Sequence, residues 1–239
     1  MMNPRKAPRT FLVTGSSSGL GKKIADNLAA SGGKVIYHSR IQHDLFVPPG
    51  SEYHVADLSD AEEAIKVVNK IEETNQIDCL VCCAGRTHLH PTEDTCLNFI
   101  KSDALRVLNN ILFSTTNVCQ QVSLGMLKRK KGRIVIIGGD VVDKPNIHGN
   151  MCTYAMAKAA VHQYGLYLAQ QLRASGFPIS VNVVAPTGII RENSVVPPQR
   201  IDRKALAEEV SEVVCQICTA DNSFITGQII RVNGGRVSY

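Results

Sequence analysis

The stretch TFLVTGSSSGLG, residues 10–21, decides the fold. Its first half, TFLVTG, is apolar and β-branched and reads as a buried strand; behind the glycines Leu20, Ile24 and Leu28 recur at helical spacing until Gly32-Gly33 stops the helix. A strand that turns through glycines straight into a helix is the context a dinucleotide-binding fingerprint demands. Gly15 permits the tight turn, Gly19 lets the backbone approach a phosphate, and Gly21 lets helix and strand pack closely. The helix N-terminus behind them offers unpaired N–H groups to an anion. Glycines also mark plain turns, so the weight falls on what surrounds them.

Working outward, strand-like and helical patterns alternate along the whole chain. KVIYHS (34–39) and EYHVADLS (52–59) read as the second and third strands, and Asp60–Glu73 as a helix with Ala61, Ala64, Ile65, Val68 and Ile71 on one face. IDCLVCCAG (77–85) is a fourth strand, followed by a helix over Ser102–Lys130, the strand GRIVIIGG (132–139) and a helix over Thr153–Ser175. ISVNVVAP (179–186), a helix over Lys204–Thr219 and GQIIRVNGG (227–235) complete the pattern. Strands that are apolar throughout and separated by helices imply a parallel sheet covered on both faces: a doubly wound Rossmann-type α/β fold of about seven strands. One crossover is irregular. Residues 40–51, RIQHDLFVPPGS, leave little room for a helix, and Pro48-Pro49-Gly50 forbids one in its second half. With 239 residues and no Pro/Gly/Ser-rich linker, a single domain over 1–239 with a basic tail at 1–9 is expected.

Composition excludes several classes. The chain is 44% hydrophobic and 20% charged with a net charge of +5, which suits anionic small molecules but falls short of a nucleic-acid-binding signature. The basic run Lys128-Arg129-Lys130-Lys131 closes a helix, where cations complement the macrodipole. The N-terminus MMNPRKAPR has no apolar stretch behind it long enough for a signal peptide, and no membrane segment is expected. Eight cysteines include CxxC spacings at Cys79/Cys82 and Cys215/Cys218. Cys79 and Cys82 lie on a strand, where side chains three apart point to opposite faces, and no histidine stands near Cys215 and Cys218. Buried reduced thiols of a cytoplasmic protein, with no metal, are therefore expected.

Taken together these residues resemble the short-chain dehydrogenase/reductase family, whose fingerprint is TGxxxGxG. The resemblance runs from about Thr10 to Gly235 and is most like the 3-ketoacyl-carrier-protein reductases. Other family marks follow in order: ADLS at 56–59, CCAG at 82–85 in the place of NNAG, YAMAK at 154–158, and ITGQIIRVNGG near the end. The resemblance implies cofactor contacts from Gly15, Ser17, Ser18, Gly19, Leu20 and Gly21, from Asp57 and Leu58 flanking an adenine, from Cys83, Ala84 and Gly85, and from Pro186, Thr187 and Ile189. Cofactor choice is written after the second strand. There Ser39-Arg40 offers no carboxylate to the ribose hydroxyl of NAD and a guanidinium able to pair with a 2′-phosphate, so NADP is favoured over NAD.

Reducing a carbonyl needs a proton donor as well as hydride, and tyrosine needs a nearby cation to act near neutrality. Tyr154 and Lys158, four apart on a helix, project from one face. In the family the tyrosine is the proton donor, while the lysine holds the nicotinamide ribose and lowers the tyrosine pKa. A helix asparagine completes the family's relay, and of Asn109 and Asn110 the spacing prefers Asn110. Two departures stand out. Where the family places a serine after the next strand, the chain reads IIGGDVVDK, so that Gly139 or Asp140 occupies the position and Asp140 keeps the usual distance from Tyr154. An ionised aspartate only accepts hydrogen bonds and would repel an oxyanion; a protonated one, or Thr153, could donate. In APTGIIRENS (185–194), Thr187 replaces the family's glycine and Arg191 stands where a threonine would touch the cofactor.

Two functions are thus in competition. The first is an NADP-dependent reductase of a β-ketoacyl or similar oxo substrate, small or carrier-bound, acting through a Tyr/Lys relay. The second is a weakly active or inactive cofactor-binding subunit that partners a catalytically complete paralogue, an idea the missing serine supports and the intact Tyr154/Lys158 pair opposes. The two long helices carry apolar residues, among them Val118, Val122, Leu166 and Leu172, that are expected to pack against a second copy in a homodimer or homotetramer.

Overall fold

Five residues rich in β-branched and aromatic side chains make Thr10–Thr14 (β1) a strand buried along its whole length. Six more strands join it: Lys34–Ser39 (β2), Glu52–Val55 (β3), Cys79–Cys82 (β4), Gly132–Ile137 (β5), Ile179–Pro186 (β6) and Ile229–Val232 (β7). All pair in parallel, in the order β3-β2-β1-β4-β5-β6-β7. This computed structural model describes residues 8–87, 94–143, 151–190 and 203–236. Among the described residues six α-helices cover the sheet: Gly19–Ala30 (α1), Ala61–Thr74 (α2), Lys101–Leu108 (α3), Ser114–Arg129 (α4), Cys152–Arg173 (α5) and Ala207–Thr219 (α6). No described helix is long and apolar enough to cross a membrane.

The two faces carry separate cores. On one, α1 and α6 lay Ile24, Leu28, Val210 and Val214 over Phe11, Val13 and Val135. On the other, α2, α4 and α5 lay Val68, Ile71, Val122 and Leu172 over Leu12, Ile36, Leu80 and Ile134. Each such side chain taken fully out of water contributes about 1.5–3 kcal/mol. Cys79 belongs to the first core and Cys82 to the second, where its sulfur lies 3.5 Å from that of Cys119. The two ends of that CxxC do point to opposite faces. In α2, Val67 rather than Ile65 completes the buried stripe, and Asp60 caps the helix by accepting the Glu63 N–H.

Three features depart from expectation. The helix expected over 102–130 is interrupted by a π-helical turn, Asn109–Phe113, which inserts one residue into the ladder. The hydroxyls of Ser114 and Thr115 donate to the Asn110 and Ile111 carbonyls at 2.7 Å and occupy acceptors that this turn loosens. Several strands are shorter than read: the third stops at Val55 and the last spans only Ile229–Val232, because pairing ends where the neighbouring strand ends. Val118, Val122 and Leu172 are at most 2% exposed and lie in the chain's own core, so they supply no surface for a second copy. The apolar residues that α4, α5 and the π-helical turn do expose are Phe113, Leu124, Met156 and Tyr167. The crossover at 40–51 is free of helix, as Pro48-Pro49 requires.

Connections leave β1 toward β2 and β4 toward β5 in opposite directions across the sheet, so the carboxyl ends of β1 and β4 flank the switch point. In such sheets a crevice opens there, and it does so here.

Candidate active site

The floor of the crevice is built by close backbone approach. Gly15 has φ +67°, and a Cβ on it would lie 2.7 Å from Ala84 Cα. On Gly21 a Cβ would come 2.3 Å from the Gly15 carbonyl oxygen, so this first turn of α1 has room only for glycine. Thr14, the last residue of β1, accepts the N–H groups of Cys83 and Ala84 on its hydroxyl, both at 3.1 Å, and ties the two strand ends together. Ser16 is fully buried and stitches the loop to β2: its N–H donates to the His38 carbonyl and its hydroxyl accepts the His38 N–H, each at 2.8 Å. That leaves Ser17 and Ser18 to line the opening.

His38 was not foreseen from the sequence. Its ring sits between the two strand ends, Nδ1 facing the Gly15 N–H at 3.4 Å and Nε2 the Ala56 carbonyl at 3.1 Å. Those partners define the tautomer: Nδ1 accepts and Nε2 donates. Burial lowers its pKa to about 4, so the ring is neutral and Nδ1 is free to accept.

The cleft holds about 300 Å³. Of the residues expected to bind a cofactor, Gly15, Ser17, Ser18, Ser39, Arg40, Asp57, Leu58, Ala84 and Gly85 line it, joined by Asn110. Gly19, Leu20 and Gly21 open α1 directly behind Ser18. Cys83 is not among the residues lining the cleft; burial pushes its thiol up to about 11 while the charge of Lys158 acts in the opposite sense. The Ser39 hydroxyl is taken up by the chain itself, 2.5 Å from both the Ile41 carbonyl and the Tyr53 hydroxyl. Arg40 and His43 are the charged or titratable groups between β2 and β3 that line the cleft. Arg40 is exposed, and its Nη1 donates to Asn110 Oδ1 at 2.9 Å across the cleft. Asn109 is exposed, while Asn110 lines the cleft. A second guanidinium, Arg86, also lines the cleft, where Asp57 is the one acidic side chain among the described residues. Arg86 follows the CCAG motif immediately, and only its charge beside a glycine marked it in the sequence.

Beyond the cleft, α5 carries Tyr154 and Lys158 one turn apart. Lys158 is 5% exposed; its Nζ donates to the Ile137 carbonyl at the end of β5, 2.8 Å away, and lies 5.8 Å from the centre of the Tyr154 ring. The start of α5 is held by a residue the sequence reading passed over. Asp94, 4% exposed, accepts the Thr153 N–H at 2.8 Å and the Tyr154 N–H at 3.3 Å on its carboxylate, while its carbonyl accepts the Cys152 N–H at 3.1 Å. Met151 just before it takes a left-handed turn at φ +65°. The residue at the N-cap, Met151, makes no side-chain cap, and Asp94 supplies one from 59 positions earlier in the chain.

Asp140 opens a short 3₁₀ turn, Asp140–Val142, behind β5. The approach to it is anchored on α5, because the Gly139 N–H donates to Nε2 of buried His162 at 3.2 Å. Burial lowers the His162 pKa to about 4, so that nitrogen stays an acceptor. Asp143 closes the turn in a two-pronged ion pair with Arg231 of β7, at 2.6 and 2.9 Å, which holds its carboxyl below the usual carboxylate range. Pro186 ends β6 and Ile189 pairs with Ala205. Thr187 is 3% exposed, and its hydroxyl accepts from Arg236 at 2.9 Å, so that hydroxyl is engaged within the chain. Arg191 and most of the segment to Arg203 lie outside the described residues.

A loop closed to any Cβ at Gly15 and Gly21, a helix N-terminus behind it and two guanidiniums at the rim fit a dinucleotide with an extra phosphate. Residues 9–195 match the family model for short chain dehydrogenase. The chain belongs to that family. Among curated members, it is 30% identical to the 3-oxoacyl-[acyl-carrier-protein] reductase FabG of Escherichia coli, over 94% of this chain and 95% of that one. It is 30% identical to the 3-oxoacyl-[acyl-carrier-protein] reductase MabA of Mycobacterium tuberculosis, over 97% and 94%. An uncharacterized oxidoreductase of Bacillus subtilis, YmfI, is 29% identical over 95% and 98%. A solved structure described as ElxO with NADP bound superposes with a TM-score of 0.85 at 22% identity, covering 98% of this chain and all of the other.

Proposed function

We propose that the protein is an NADPH-dependent reductase of a β-ketoacyl or similar oxo substrate, small or carrier-bound. The observation that carries this reading is the buried Lys158 ammonium, bonded to the Ile137 carbonyl and facing the Tyr154 ring. When bound, the reduced cofactor supplies hydride. The chain's own groups supply the rest. Tyr154 donates the proton to the oxygen that becomes the alcohol. Lys158 is fixed by Ile137 so that its charge lies beside Tyr154 and steadies the phenolate left behind. Arg40 and Arg86 would hold the 2′-phosphate, Ser17 and Ser18 with the start of α1 would hold the pyrophosphate, and Asp57 and Leu58 would hold the adenine. Family membership, the 3-oxoacyl substrates named for two relatives and the NADP named for the ElxO structure support the same assignment.

NADPH consumption by the purified protein, followed across a panel of β-ketoacyl thioesters and other ketones, tests the reading. Activity on at least one, with a fall of about 10²-fold or more in Tyr154→Phe, is expected. Turnover unchanged in Tyr154→Phe would overturn it.

The second reading, a cofactor-binding subunit that partners a complete paralogue, is favoured by one departure in the sequence: Gly139 or Asp140 stands where the family places a serine hydroxyl. Tight NADPH binding with no turnover of any substrate until a paralogue is added would establish it. In either case Phe113, Leu124, Met156 and Tyr167 offer an apolar surface for a second subunit, and light scattering at micromolar concentration should find a dimer or larger.

A further inference from the structure

The cysteines are not uniformly buried. Cys96 is exposed and Cys152, the first residue of α5, is half-buried, and their sulfurs lie 2.8 Å apart. That is inside the contact distance of two unbonded sulfurs and within about 1 Å of a bond. The backbones on either side are already tied: the Cys152 N–H donates to the Asp94 carbonyl at 3.1 Å and the Thr153 N–H to the Asp94 carboxylate at 2.8 Å. A bond between the sulfurs therefore asks for side-chain rotation and little backbone movement. A metal ion fits less well. Two thiolates on a tetrahedral ion, each about 2.3 Å from it, stand nearly 4 Å apart. No histidine, aspartate or glutamate completes a ligand set there among the described residues.

We propose that Cys96 and Cys152 form a reversible redox pair, oxidised by hydroperoxides, whose disulfide locks the Asp94 segment onto the first turn of the helix that carries Tyr154. Exposure makes Cys96 the sulfur that meets the oxidant. The Cys96 sulfur beside it, burial and Asp94 push the Cys152 thiol up to about 11, so Cys152 keeps its proton until it reacts. With hydrogen peroxide as the oxidant, the O–O bond breaks in the first step: one oxygen with its hydrogen bonds to the Cys96 sulfur as sulfenic acid, and the other takes the Cys96 proton and leaves as water. In the second the Cys152 sulfur attacks that of Cys96, the S–O bond breaks, and hydroxide leaves with the Cys152 proton as a second water. Two thiols and one peroxide thus become one disulfide and two waters. A dithiol reductant returns the pair to thiols. Buried pairs make a built-in contrast: Cys82 and Cys119, 3.5 Å apart, and Cys79 and Cys218 are all at most 2% exposed, out of reach of an oxidant.

The consequence falls on α5. Asp94 holds the N–H groups of Thr153 and Tyr154, so a covalent tie one residue away suppresses opening of that turn. This inference goes beyond the reductase reading, and its test needs no turnover.

Purified protein, reduced and then treated with a small excess of hydrogen peroxide, is denatured, alkylated and mapped without reductant. The expected result is a loss of two of the eight titratable thiols, one cross-linked peptide pair joining Cys96 to Cys152, and full recovery with dithiothreitol. Cys96→Ser and Cys152→Ser, each checked for native circular dichroism, should abolish the cross-link and leave the other thiols unchanged. Amide exchange at Thr153 and Tyr154 should slow at least tenfold in the oxidised protein. Eight thiols surviving the treatment, a Cys96 that ends as sulfinic acid without a cross-link, a cross-link to another cysteine, or unchanged exchange in the cross-linked form would overturn the proposal.

Discussion

Replacing Asp94 with alanine removes the cap on the helix that carries the proton donor. The carboxylate is 4% exposed and accepts a strong bond from Thr153 at 2.8 Å and a weaker one from Tyr154 at 3.3 Å. A bond to a charged acceptor is worth about 1.5–3 kcal/mol, and loss of an N-cap costs about 0.5–2 kcal/mol. The longer bond adds little, so the expected loss is about 2–3 kcal/mol. In a chain of this size each kcal/mol corresponds to about 2–4 °C, so Asp94→Ala should melt about 5–10 °C lower than wild type. Asp94→Asn keeps an acceptor toward Thr153 without the charge and should cost about half as much. Tyr154 lies in the turn that loosens, so kcat should fall in Asp94→Ala with little change in the KM for NADPH. Differential scanning calorimetry and steady-state kinetics measure both. A melting temperature within 1 °C of wild type would refute the reasoning, because it would mean that the α5 amides find other acceptors at no cost.

Arg40→Ala should weaken NADPH binding about tenfold to a hundredfold, the worth of one charge-assisted phosphate contact, and leave NADH binding unchanged; equal losses for both cofactors would refute a 2′-phosphate role. His38 and His162 both titrate near pH 4 in the folded protein against an ordinary 6.5, so the unfolded chain binds more protons between those values. Stability should be fully present above about pH 6.5 and fall as pH drops toward 4, with a slope of up to about 1.4 kcal/mol per pH unit for each histidine; His38→Gln and His162→Gln should each flatten the urea-midpoint profile, and an unchanged profile in both would contradict the assignment. Asp140→Ser restores a hydroxyl donor worth about 2.7–4 kcal/mol at a developing oxyanion, and should preserve or raise turnover of simple β-keto substrates. A tenfold loss in both Asp140→Ser and Asp140→Asn would show that the carboxylate itself is needed.

The fold was legible because its signals are local. TFLVTG followed by glycines and the Leu20, Ile24, Leu28 stripe occupies one short stretch, and the alternation after it repeats the same grammar. Ends of elements were less legible, since they are set by partners. Residues 56–59 read as strand, yet β3 stops at Val55 because β2 ends opposite it at Ser39. Val118, Val122 and Leu172 looked surplus to a single layer because periodicity shows that a face is apolar without showing what covers it. The cover is the sheet and the neighbouring helices, α4 lying between α2 and α5.

The same distinction divides the site. Gly15, Gly21, Tyr154 and Lys158 announce themselves through spacing, because close backbone approach and a shared helix face are short-range constraints. What holds them in place does not. His38 bridges Gly15 and Ala56 across 23 and 18 positions, and Asp94 reaches Thr153 across 59. A histidine in an apolar strand and an aspartate in a loop carry no pattern that names such partners; only the folded chain supplies them. One departure from the family pattern adjoins that support: Gly139, whose N–H donates to His162 of α5, leads into Asp140, whereas Thr187, just past β6, is engaged by Arg236. The cleft that would receive the cofactor keeps the family's glycines, Gly15, Gly19 and Gly21. Changes at Gly139 or Asp140 should therefore show in kcat before they show in cofactor affinity.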